Sequence, residues 1–455
     1  MPVRPNARPG LSFFGTIGLV MAALKLKQNW DDQYGPVASE DEDRVALASH
    51  SPYRDVGADD EARIGLLDTE IPTTRRKSKR SGCCVCCGIN CSLFWKAFGI
   101  VLAGFALWYS FKFVRWAVTP APTGLESMPL YNISFGCLSA PYIYNSSKTT
   151  FNAPIGWKKF DHAFDIRGSA AGTFVIAEGA VGSQEIEYEM TIRTDDSSLL
   201  QDISVHFPDM TDDGVVSNSR VVITTPRIDP SSSSCMRYDI TMYVPRNLKK
   251  LHVASHSPMH VQFDSVANVE LDDLYVTMFA MDRNNMILPR ETIRANRMAL
   301  EVYRGWIVGD VSIVNSTSIT TQRGDGVANV RVHPTAPGNL ALPDPAYLRT
   351  TTGAGRTDIF YIASKAFRRP IHNVHMSSRN ADMHLTYREA EYSGRIELES
   401  RSYTATGLHS FPRTLPSKDD EGGADRSPRW THWVGNQGGD DTVYVKSRGW
   451  TGLYF

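Results

Sequence analysis

The chain has 455 residues and a formal net charge of −1, with 42% hydrophobic and 21% charged residues. That length holds more than one domain. The near-neutral net charge by itself says nothing about nucleic acid, and no nucleic-acid partner is expected.

The first thirty residues carry Arg4, Arg8, Lys25 and Lys27 and no acid before Asp31, around a mildly apolar stretch at 11–24. This stretch reads as a secretory h-region or a mitochondrial presequence, although no A-x-A cleavage site follows; Met21 is an alternative start. From 28 to 74 the chain is acidic, with clusters at 40–43 and 59–61 and no sustained apolar period. Such a composition buries too little surface to offset its ordering entropy, so residues 1–92 are expected to be a disordered cytoplasmic tail. Within it, Tyr34-Gly-Pro-Val37 and Tyr53-Arg-Asp-Val56 match the short tyrosine-based sorting pattern.

A basic run follows at Arg75, Arg76, Lys77, Lys79 and Arg80, then five crowded cysteines, Cys83, Cys84, Cys86, Cys87 and Cys91. Basic residues beside a bilayer are attracted to anionic lipid by about 1 kcal/mol each. Cysteines beside such a patch are candidates for S-palmitoylation. The two-plus-two spacing of a zinc knuckle is missing, and reduced thiols without a role are the remaining reading.

Residues 93–118, LFWKAFGIVLAGFALWYSFKFVRWAV, are expected to form one transmembrane helix. Trp95 to Trp116 spans about 31 Å as helix, which suits aromatic rings at the two faces of a hydrocarbon layer about 30 Å thick. Lys96 and Lys112 can stretch their stems toward the nearer headgroups. Positive charge lies on the N-terminal flank, which puts the N-terminus in the cytoplasm and the rest in a lumen or outside the cell. The chain therefore reads as a single-pass type II protein with a signal anchor, and the lipid bilayer is its first expected partner.

Residues 119–150 begin with Thr-Pro-Ala-Pro-Thr and are expected to form a stalk. Beyond them, apolar and polar residues alternate in short runs: Ile186, Tyr188, Met190, Ile192; Ile203, Val205, Phe207; and Met236, Tyr238, Ile240, Met242, Val244. Shorter runs of the same kind continue from Leu251 to Leu398 between turns rich in Asn, Asp, Ser and Gly. Period-two alternation means half-buried strands, and comparable groups recur at about 18–25 residues, in the range of stacked repeats. The expectation for 151–455 is an all-β lumenal or extracellular domain. Residues 251–407 would form a β-solenoid-like stack of short strands, and 151–244 a more sandwich-like part. The apolar-poor stretches 333–357 and 410–429 read as exposed loops.

The stretches MALEVYRGWIVGDVSIVNSTSITTQRGDGVANVRV (298–332) and RIELESRSYTATG (395–407), with the ending RGWTGLYF, resemble fungal single-pass membrane proteins. Their ectodomains are similar to adhesin-like families of stacked β repeats. The resemblance implies a fold and brings no catalytic residue.

Three Asn-x-Ser/Thr sequons, Asn132, Asn145 and Asn315, follow the helix as candidate glycosylation sites. Cys137 and Cys235 are the only cysteines beyond it and are a candidate disulfide in an oxidising compartment. His252, His256 and His260 are the best metal candidates. They share the parity opposite to Leu251, Val253, Met259, Val261 and Phe263, so they are expected to face solvent and no metal or other cofactor is assigned. Neither an Asp-x-Asp motif nor a βαβ rhythm supports a Golgi-type glycosyltransferase. Lys365, Arg368 and Arg369 are clustered, but nothing in the sequence sets an acid against them, and no catalytic residue is assigned. The leading reading is a non-enzymatic β-repeat ectodomain with a structural or adhesive role toward glycans or surface proteins, its oligomeric state open. The alternative is a membrane-tethered carbohydrate-active lyase or hydrolase on a β-solenoid scaffold.

Overall fold

The computed structural model describes residues 13–33, 85–86, 89–118, 123–211, 216–229, 231–321, 325–412 and 429–455. The chain divides into two compact units, Met1–Ala121 and Pro122–Phe455.

In the first unit, α1 (Phe13–Gln33) and α2 (Cys91–Val118) are joined by packing, and Val85–Cys86 pairs antiparallel with Ile89–Asn90. A helix at α1 corrects the expectation of disorder for that part of 1–92. Its cause is visible in the spacing: Ile17, Val20, Met21 and Leu24 share one helical face and meet Phe94, Ala97, Phe98 and Val101 of α2. The sorting patterns, the basic run and Cys83, Cys84 and Cys87 lie outside the described residues. Cys86 ends the short strand and Cys91 begins α2.

Residues Phe94–Val118 of α2 are long and apolar enough to cross a membrane, the one such helix among the described residues. Twenty-five residues reach about 37 Å. A helix in a soluble core would bury its large apolar side chains. Here Leu102, Phe105, Leu107, Trp108, Phe111, Phe113, Val114 and Trp116 are all exposed.

The second unit is a stack of short parallel strands arranged in two ladders. In spatial order the first ladder runs Arg220–Thr224, Asp161–Arg167, Lys250–Ser255, Val269–Met278, Ile293–Val302, Ser316–Thr321, Ala346–Thr352 and Ile371–Ser377. The second runs Met236–Val244, Ala171–Glu178, Met259–Phe263, Met286–Leu288, Trp306–Ile313, Val327–Pro334, Thr357–Ile362 and Met383–Glu389. The long strand Asp441–Tyr454 closes both ladders, and Gly394–Thr406 lies outside it. At both ends, spatial order therefore departs from chain order. Antiparallel pairing is concentrated in the N-terminal part, where Glu185–Thr194 lies against Met236–Val244 and is itself flanked by Thr149–Pro154.

The core is a set of columns that run through successive rungs. Val221, Phe164, Val253, Val276, Leu300 and Ile319 form one such column, continued by Thr350, His375, Val445 and Leu398. The strand Ala346–Thr352 corrects the expectation of a loop over 333–357. Its inward positions are Ala346, Leu348, Thr350 and Thr352. Two buried threonines in a core file hide the alternation that hydrophobicity would reveal. Chain turning also demands particular residues: Gly305, at φ 136°, lies against the Asn285 carbonyl, where a Cβ would collide.

Two buried histidines are held neutral inside this core. His375 meets Thr350 Oγ1 at 2.8 Å and Tyr387 Oη at 2.8 Å, and Asn373 Nδ2 donates to the same phenol oxygen. At the other end of the stack, His162 meets Ser219 Oγ at 2.6 Å and Tyr188 Oη at 2.5 Å. Burial pushes both imidazoles down to a pKa of about 3.

Candidate functional site

Residues 124–137, expected as part of a stalk, instead form a strap across the stack. Leu125, Met128 and Tyr131 cover Met286, Trp306 and Val327. The strap is pinned by Arg237, whose side chain is wholly buried. Its guanidinium holds Asp239 from two nitrogens and donates to the Asn132 carbonyl at 2.7 Å, to the Gly136 carbonyl at 3.2 Å and to Asn132 Oδ1. The strap ends at a disulfide between Cys137 and Cys235, whose Cα atoms are 6.0 Å apart.

The strap also corrects the reading of the histidine triplet. His252 and His256 are exposed, but His260 is fully buried. Tyr131 and Phe135 lie over its ring at 5.4 and 4.1 Å, and its Nδ1 accepts the Asn132 N–H at 3.0 Å. Burial lowers its pKa to about 4. Parity placed the ring on the outer side of its strand correctly; a distant segment then covered that side. No group of three or more His, Cys, Asp or Glu converges as a metal site among the described residues.

The disulfide closes a loop with a sequence separation of 98. Replacing both cysteines by serine is expected to lower the unfolding free energy by about 2–4 kcal/mol, because a loop of that length is freed in the unfolded chain. Chemical denaturation of the two forms checks it; equal midpoints would remove the disulfide from the account of how the strap is held.

The richest outer surface lies near the N-terminal end of the stack, where a recess of about 850 Å³ is lined by Arg167, Ser169, Arg227, Asp229 and His256. Asp165 beneath it is buried, and its Oδ2 accepts from both Arg167 and Arg220 at 2.6 Å. The two arginine side chains stay 50% and 45% exposed, held from one side by a buried carboxylate. Asp165 Oδ1 has no hydrogen-bond partner and faces His256 Nε2 at 3.8 Å.

From this recess a file of rings continues along the stack. His256 lies face to face with Phe279, centroids 4.7 Å apart, and Phe279 meets Tyr303 edge-on at 5.3 Å. Each follows the last inward residue of its rung, Ser255, Met278 or Val302. Backbone bonds from His256 N to Ile166 O, Phe279 N to Ser255 O and Tyr303 N to Met278 O keep Arg167, His256, Phe279 and Tyr303 in one file on successive rungs. Sequence reasoning missed this site except for His256. The signal was a ring recurring at one position in three successive repeats, legible only once the rungs are aligned.

A second, more enclosed cleft of about 460 Å³ is lined by Tyr361, Lys365, Arg368, Arg369, Arg388, Glu389, Glu391 and Asp441. It supplies the acids that the sequence did not set against Lys365, Arg368 and Arg369. Two of these groups are committed to structure. Asp441 accepts the Ile371 and Ser393 N–H groups at 2.9 and 2.7 Å, and burial raises its pKa. Arg369 holds Asp344 Oδ2 and the carbonyls of Val314 and Pro345.

The three sequons differ in setting. Asn145 and Asn315 are exposed, whereas Asn132 is half-buried with its side-chain oxygen on Arg237.

No protein-family model matches the chain, and no curated protein matches it. Among solved structures, one described as a "putative cell adhesion protein" from Clostridium sporogenes is similar over 68% of this chain and 99% of its own, with 7% identity and a TM-score of 0.22. A likeness this distant carries neither fold nor function to this chain.

Proposed function

We propose that this is a single-pass type II membrane protein whose β-stack domain is a non-enzymatic interaction module, facing a lumen or the exterior and making contacts with glycans or surface proteins. The observation that carries the reading is a disulfide-closed β domain following the one candidate membrane-spanning helix among the described residues. Disulfides persist in oxidising compartments, which agrees with the orientation drawn from the basic N-terminal flank. The resemblance of 298–332 and 395–407 to adhesin-like repeats supports an adhesive role. The basic run and the five cysteines before α2 fit a lipid-bound, acylated cytoplasmic face.

Topology is tested by protease protection of sealed microsomes with glycopeptide mass spectrometry. Residues 122–455 are expected to be protected, with glycan at Asn145 and Asn315. Asn132 is expected to stay bare, because a glycan there would displace the strap from Arg237. Digestion of the β domain from outside intact vesicles would reverse the orientation.

The second cleft supports the enzymatic alternative, a carbohydrate lyase or hydrolase, since it brings Glu389 and Glu391 beside Lys365 and Arg368. Turnover of a polysaccharide that is lost in a Glu389→Gln, Glu391→Gln double variant would replace the non-enzymatic reading.

A further inference from the structure

We propose that the file running from Arg227 and Arg167 through His256 and Phe279 to Tyr303 is a binding site for a linear acidic polysaccharide. The inference rests on the interaction-module reading above and names its ligand class.

Three observations point to it independently. The first is charge. Arg167 and Arg227 line the recess, Arg227 exposed, and Arg220 shares the buried Asp165 with Arg167; the surface Asp229 also lines it. Asp229 already accepts from the backbone and hydroxyl of Ser231 at 2.8 and 2.7 Å. The recess therefore favours anions.

The second is construction. Asp165 holds two guanidiniums from one side while the two arginine side chains stay about half exposed. Such a pair meets a carboxylate or sulfate without first losing the freedom of two long side chains.

The third is periodicity. Rungs of a parallel ladder lie about 4.8 Å apart, so the file from Arg167 to Tyr303 extends about 14 Å across its three steps. Cations stand at one end and half-buried rings at the other. A chain of sugar rings offers both features, anionic groups for the guanidiniums and flat C–H faces for Phe279 and Tyr303. An acidic peptide has no such repeated faces. A nucleic acid would carry its charge past the rings as well, where Phe279 and Tyr303 supply no counter-charge.

The test uses the full chain in lipid nanodiscs. Binding is measured to polygalacturonate, which carries carboxylates, and to heparin, which carries sulfates, with dextran as a neutral glycan and polyglutamate as an acidic chain without sugar. The expected result is binding to polygalacturonate or heparin at least tenfold tighter than to dextran or polyglutamate; which of the two acidic glycans binds identifies the anion. Arg227→Gln is expected to weaken that binding about tenfold, the value of one charged hydrogen bond. Tyr303→Ala is expected to weaken it as well and to leave polyglutamate unaffected. Arg227 is a surface residue whose replacement leaves the stack intact, so this variant reads the site and not the fold.

Equal affinity for polyglutamate and the acidic glycans would overturn the proposal, as would acidic-glycan binding that Arg227→Gln leaves unchanged, or no glycan binding at all. In each of those cases a protected, disulfide-closed domain in microsomes would leave the broader reading standing.

Discussion

Deletion of residues 441–455 is expected to unfold the C-terminal rungs of the stack. Strand Asp441–Tyr454 is the last in the chain but an interior strand in space, between Ile371–Ser377 and Met383–Glu389 on one side and Gly394–Thr406 on the other. Val443, Val445 and Leu453 are fully buried. Each such side chain contributes about 1.5–3 kcal/mol, or about 5–9 kcal/mol for the three. That is comparable with the whole stability of an ordinary domain, about 5–15 kcal/mol. Further losses follow from the Phe455 ring stacked on Tyr387 at 5.1 Å and from Asp441, which holds two backbone N–H groups. Circular dichroism melting of full and shortened chains checks this. A shortened chain that melts at the original temperature would mean that the rungs stand without their interior strand.

The second expected result is a steep loss of stability in mild acid. His162 and His375 titrate at about 3 in the folded chain and His260 at about 4, against 6.5 when unfolded. A lowered histidine pKa means that the unfolded state takes up protons first, so stability is full above pH 6.5 and falls as the pH drops toward 4. Each histidine contributes a slope of about 1.4 kcal/mol per pH unit in that window, about 4 kcal/mol per unit for the three. Three carboxyls raised by burial, Asp441, Glu301 and Glu397, take up protons in the folded state and offset part of the slope at its acidic end. Denaturant midpoints at pH 7.5, 6.0 and 5.0 measure the effect. Replacing His375 with Gln, which keeps a polar partner for Tyr387, should flatten the slope by about one proton. A midpoint independent of pH over this range would show that these rings are not held neutral.

The fold class was legible because strands with one inward face carry a period of two. The runs Ile186 to Ile192 and Met236 to Val244 are buried at each apolar position, as alternation requires. Phe207 continues such a pattern in sequence yet is 50% exposed, because its strand ends at His206. Legibility failed where the core is polar, as at Thr350 and Thr352, and where the chain bends. Val269 and Leu271 point inward on one parity and Leu274, Val276 and Met278 on the other, with the corner at Asp272 and Asp273. Asp273 is therefore buried, and it pairs with Arg297 on the next rung at 2.5 Å.

Order in space was the least legible feature. Pairing of His375 with Val445 joins segments that share no local signal. The candidate site suffers most from this, since Arg220, Arg167, His256, Phe279 and Tyr303 become neighbours only when the rungs are stacked. The strap was hidden for a related reason. Residues 124–137 have the composition of a linker, and their docking depends on Arg237 and on Met286, Trp306 and Val327, all more than a hundred positions away from its first residue.

The two ends of the stack carry one more consequence. A parallel ladder that simply stopped would present a row of unpaired N–H and C=O groups at each end. At one end Glu185–Thr194 runs antiparallel over Met236–Val244, and at the other His432–Val434 crosses the start of Gly394–Thr406 in the same sense. Strands of reversed direction are a poor template for the next parallel rung. Capped in this way, the two ends offer fewer free backbone groups to a further parallel rung.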